Sequence, residues 1–98
     1  MKARITVLRK ARYDDLIERY ERPQTSPCDM REGDVFFTEG ERPAGFCPDA
    51  WATLSPFVAR LLNGETKLYG DWMKDPRSGL FSCNDGFRQV SFLLEIVE

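Results

Sequence analysis

The chain contains no histidine among its 98 residues. That removes the commonest general base near neutral pH and the commonest metal ligand. It has three cysteines, Cys28, Cys47 and Cys83, with no Cys-x-x-Cys pair. The signature of structural zinc is therefore missing, and an odd count fits poorly with a secreted disulfide framework. No apolar run approaches the roughly 20 residues of a membrane-spanning helix. The basic start, Met1-Lys2-Ala3-Arg4, is followed by only Ile5 to Leu8 before Arg9 and Lys10 intervene. This is too short for a signal-peptide core, so the expected compartment is the cytoplasm and no membrane partner is expected. There is no basic excess either. Fourteen Lys and Arg against sixteen Asp and Glu give a formal charge of -2, which argues against a nucleic-acid partner.

What is present reads as one folded unit. Hydrophobic residues make up 42% and charged residues 31%, a balance that supports a core in a chain long enough for a single domain (residues 1–98). Residues 3–10 read as a first strand. Asp14 and Asp15 open a short helix over 14–21, with Tyr13, Leu16, Ile17 and Tyr20 on one face, and Pro23 ends it. Residues 22–33 form a loop, and 34–39 a second strand. Pro48 and Asp49 suit the first turn of a longer helix, whose stripe is Trp51, Leu54, Val58, Leu61 and Leu62. Pro56 within it predicts a kink or a restart, and Asn63-Gly64 a stop. Residues 65–78 are irregular. Val90, Phe92, Leu94 and Ile96 then alternate along a final strand, with 79–83 as its hairpin partner. The order β-α-β-α-β-β predicts an α+β fold, a twisted and mainly antiparallel sheet with helices on one face.

The stretch Cys83-Asn84-Asp85-Gly86-Phe87-Arg88 carries the chemistry. Asp-Gly between two apolar runs is a hairpin signal, because both central residues of a type I′ turn need positive φ. A two-residue loop sets Cys83 opposite Arg88; a three-residue loop sets it opposite Phe87. In either register Arg88 shares a face with Val90 and Phe92. An arginine at the edge of a core needs a partner, for which Asp85, Asp49 and a bound anion are the candidates. Cys47 precedes a helix N-terminus, and Cys28 sits beside Pro27. If the loops converge, Cys28, Cys47 and Cys83 are a candidate zinc or iron centre. Of the aromatic residues, most are expected in the core; Trp72 is a candidate for the mouth of a pocket.

The start Ile5-Thr6-Val7-Leu8, the centre Gly45-Phe46-Cys47 with Ala50-Trp51, the pair Trp72-Met73, and Cys83-x-Asp85-Gly86-x-Arg88-x-Val90 together resemble a family of small prokaryotic proteins of about this length, over nearly the whole chain. The resemblance implies a single domain and a shared Cys, Trp, Asp-Gly and Arg pattern, but no reaction. The chain departs from the pattern at Gln89, where the family has Pro, and at Pro56.

Three functional classes follow. The first is a small binding protein whose site, lined by Cys47, Trp51, Trp72, Cys83, Asp85 and Arg88, takes a small anionic ligand or a metal. The second is a thiol-dependent enzyme or redox protein using Cys47 or Cys83. The third is a structural homo-oligomer, in which the hydrophobic tail strand pairs at a sheet edge.

Overall fold

The computed structural model describes residues 1–23, 28–68 and 70–98. Residues 24–27 of the first long loop and Tyr69 of the irregular segment lie outside the described residues. The elements run β1 (Lys2–Lys10), α1 (Asp14–Tyr20), β2 (Val35–Thr38), α2 (Pro48–Leu62), β3 (Ser78–Ser82) and β4 (Val90–Val97). The four strands form one antiparallel sheet in the order β2-β1-β4-β3. The α+β fold and its element order are therefore as the sequence pattern predicts. Among the described residues, no helix is long and apolar enough to cross a membrane.

The period-two pattern decides which face is buried. Ala3, Ile5 and Val7 of β1 and Val90, Phe92 and Leu94 of β4 all point to one side and are buried. The α2 residues Ala50, Leu54, Val58 and Leu61 cover them. Each of the Val, Leu, Ile and Phe side chains among them, fully buried, contributes about 1.5–3 kcal/mol relative to exposure. The helix runs unbroken through Pro56, so the expected restart does not occur. Asn63 caps it through its N–H on the Ala59 carbonyl, and Gly64 follows at a φ of 85°.

Three expectations are corrected. First, β4 is a central strand between β1 and β3, so the tail does not offer an edge; the edges belong to β2 and β3. Second, α1 buries none of its residues, and Tyr13, Leu16 and Tyr20 are exposed. Its apolar stripe does not cover the sheet. Third, the hairpin is wider than an Asp-Gly turn. The last ladder pair is Ser82 with Ser91, and the Cys83 N–H donates to the Val90 carbonyl. Cys83 therefore faces Val90, not Arg88 or Phe87. Neither Asp85 nor Gly86 has positive φ. The Asp85 side chain instead accepts the N–H groups of Phe87 and Arg88 at 2.8 and 3.2 Å. That local bond competes with the backbone turn and opens the loop.

Candidate functional site

Four segments from distant parts of the chain meet at the open end of this loop. The first is the hairpin itself. The second is the chain between β1 and α1. A β-bulge between Val7 and Arg9 shifts the β1–β4 register, and the Ala11 and Tyr13 N–H groups then donate to the carbonyls of Gln89 and Phe87. The strand thus continues alongside the loop and braces it. From there α1 carries the chain to Glu21. The Glu21 carboxylate accepts both terminal nitrogens of Arg88, at 2.9 and 2.7 Å. The pair is largely shielded, with side-chain exposures of 19% for Arg88 and 9% for Glu21. A bidentate fork of this kind is among the stronger charge-assisted contacts. The hydrogen bond to Glu21 is the main cause that raises the Arg88 pKa; desolvation opposes it, and the charges of Glu21, Asp85 and Asp14 reinforce it. Glu21 is thus the answer to what neutralises Arg88, rather than Asp85 or Asp49.

The third segment is the start of α2. Phe46 is buried and anchors it, with its ring 5.0 Å from that of Phe36, 5.4 Å from Phe92 and 6.1 Å from Trp51. Gly45, at a φ of 79°, turns the chain into this anchor, and the Arg42 guanidinium donates to the Phe46 carbonyl at 2.7 Å. Burying Phe46 fixes the next residue, Cys47, as the cap of α2 with Pro48 as the first helical residue. The fourth segment is Cys28-Asp29-Met30. Met30 is buried in the core, and the Lys10 ammonium donates to the Cys28 carbonyl at 3.4 Å.

These segments line a half-open cavity of about 640 Å³, within the range of roughly 300–1,000 Å³ usual for small-ligand sites. All three cysteines line it. Met30, Ala50, Val90 and Phe92 contribute apolar wall, and Asp29, Asp49, Asp85 and the Glu21–Arg88 pair contribute charge. The Cys83 sulfur accepts the Val90 N–H at 3.3 Å and lies 4.0 Å from the Arg88 carbonyl oxygen. All three thiols are free and half-buried.

Of the residues singled out from the sequence, Cys28, Cys47, Cys83, Asp85 and Arg88 converge here. Trp51 and Trp72 do not line the cavity. Trp51 is spent on Phe46, and Trp72 is 83% exposed in the irregular segment. Convergence also stops short of a metal centre. Among the described residues, no three Cys, Asp or Glu side chains stand close enough to hold a metal ion, so Cys28, Cys47 and Cys83 share a cavity without forming a ligand set. Sequence reasoning missed Glu21, Asp29 and Met30 as lining residues, and named Asp49 only as a candidate partner of Arg88 in the first turn of α2.

No protein-family model matches the chain, and no similar curated protein or solved structure is found. The resemblance to a small prokaryotic family thus rests on the sequence pattern alone.

Proposed function

We propose that the protein is a small binding protein whose cavity takes a small organic cation. One observation carries this reading: four carboxylates line the cavity against a single guanidinium, and Glu21 already occupies that guanidinium. An entering anion would have to displace Glu21 and would meet Asp29, Asp49 and Asp85. A cation meets those carboxylates and leaves the Glu21–Arg88 clamp in place. The apolar wall of Met30, Val90 and Phe92 suits a ligand with a short hydrocarbon body, and the three thiols suit polarisable contact.

Thermal-shift and calorimetric titrations under reducing conditions test this. Agmatine, putrescine and tetramethylammonium are the cation probes, citrate and sulfate the anion probes, and Zn²⁺ the metal probe. A ligand that binds only the folded state raises Tm with its concentration. At least one cation is expected to raise Tm, with the shift reduced in Asp49→Asn and Asp29→Asn. No cation response up to about 10 mM, or a larger response to citrate or Zn²⁺, would overturn the reading.

A further inference from the structure

Three nucleophilic groups, the thiols of Cys28, Cys47 and Cys83, line one cavity, and cation binding alone gives none of them a reaction. Their situations differ. The Cys83 sulfur is engaged by the Val90 N–H at 3.3 Å and lies 4.0 Å from the Arg88 carbonyl oxygen. Cys47 takes the cap position of α2 with no side-chain cap bond, and its own carbonyl accepts the Trp51 N–H. Pro48 has no N–H, so the donors that a cap side chain serves are those of Asp49 and Ala50. Among the described residues, neither N–H donates to a backbone carbonyl, and both residues line the cavity. The carboxylates of Asp29 and Asp49 are exposed, and among the described residues no hydrogen bond or ion pair engages them. Lys10 and Arg42 reach the carbonyls of Cys28 and Phe46 but do not line the cavity. Its one lining cation is Arg88, which Glu21 holds.

We propose that the cavity captures a small cationic disulfide, an aminothiol disulfide such as cystamine, as a mixed disulfide on Cys47. This rests on the cavity's preference for cations and adds a covalent step to it. The Cys47 thiol gives its proton to solvent, and its sulfur attacks one sulfur of the ligand. The ligand's S–S bond breaks as the protein–ligand S–S bond forms. The departing half leaves as a thiolate and takes a proton from solvent. Cys47 is oxidised and the departing half is reduced, so the ligand itself is the oxidant. Charge sets the rate. Asp29, Asp49 and Asp85 repel a dianionic disulfide and concentrate a dication. A cleft lined by one sign of charge raises association rates by about 10–1,000-fold. An ammonium that arrives beside a sulfur also favours the attacking thiolate form. Met30, Val90 and Phe92 supply apolar wall for the short hydrocarbon stem that stays attached.

The test exposes the reduced full chain, at low ionic strength and neutral pH, to equal concentrations of three disulfides. These are dicationic cystamine, neutral bis(hydroxyethyl) disulfide and dianionic dithiodiglycolate. Mass spectrometry with peptide mapping times the adduct at each cysteine. Each rate is divided by that of the same reagent on the urea-unfolded chain, which carries the same side chains and removes differences in the leaving thiol. Cystamine is expected to modify Cys47 first. Its normalised rate there should exceed that of the neutral reagent at least about tenfold, and that of the dianion by more. Asp49→Asn is expected to lower the cystamine rate relative to the neutral reagent by about threefold. Asp29→Asn is expected to act in the same direction, should Asp49→Asn fail to fold. The proposal is overturned if folding favours cystamine no more than the neutral reagent, or if Cys28 or Cys83 is modified first. Titration with agmatine separates the two ideas. Agmatine binding without a cystamine preference overturns the capture and leaves cation binding standing; absence of both overturns both.

Discussion

Gly79→Ala probes how closely the sheet packs beneath α2. Glycine in a strand costs about 0.5–1 kcal/mol relative to alanine through backbone entropy, and Gly79 does not need positive φ. From backbone preference alone, alanine should therefore stabilise the fold. The packing says otherwise. A Cβ at Gly79 would lie 2.3 Å from the Phe81 Cε2 atom, 3.0 Å from its Cζ atom and 3.1 Å from the Leu68 Cδ1 atom. The Phe81 ring has little room to retreat, because it stacks on Phe57 with centroids 4.2 Å apart and planes at 22°. Overpacking of this kind costs about 1–3 kcal/mol, and disturbing an aromatic pair about 0.5–1.5 kcal/mol more. Setting these against the entropic gain leaves a net destabilisation centred on about 2 kcal/mol, or a Tm lowered by about 8–16 °C for a domain of this size. Urea denaturation with an unchanged m-value is the assay. Gly79→Ala combined with Phe81→Leu should lose less than the sum of the two single changes. A Gly79→Ala protein as stable as wild type would refute the reasoning.

Other outcomes follow from the same geometry. Phe46→Ala should cost about 3–5 kcal/mol and speed iodoacetamide labelling of Cys47, read by mass spectrometry, because Phe46 plants the start of α2. Glu21→Gln should lower Tm and raise hydrogen exchange at Phe87 to Gln89, where its carboxylate holds the loop through Arg88. Arg88→Lys should not restore the contact fully, since an ammonium lacks the planar fork. Because Glu21 raises the Arg88 pKa, the stability Arg88 contributes is fully present below its unfolded-state value and is lost only as pH climbs through the still higher folded value. Arg88 titration should therefore cause no stability change between pH 7 and about pH 10, which melting curves across that range will check.

The fold was largely legible in the chain, and the site in part. The alternation through Val90, Phe92 and Leu94 announced β4, and Pro48 with Asn63-Gly64 bounded α2, because these signals are local. The hairpin register was misread because Asp-Gly supports two local solutions. Asp85 spends its carboxylate on the Phe87 and Arg88 N–H groups, which opens the loop. The partner of Arg88 was hidden for a different reason. Glu21 is 67 positions away, and only the bulge in β1 and the return of α1 bring it back. Trp72 shows the limit of composition: a tryptophan in an irregular segment reads as a pocket lip, yet the chain leaves it exposed and away from the cavity.

The central claim is that four separate segments form one cavity that receives a cation. An NMR titration of the ¹⁵N-labelled protein with agmatine tests it most directly. The account predicts that amides of Cys28 to Met30, Cys47 to Ala50 and Cys83 to Arg88 shift together and fit one dissociation constant. Shifts confined to a single segment, constants that differ between segments, or no shifts at all would contradict it.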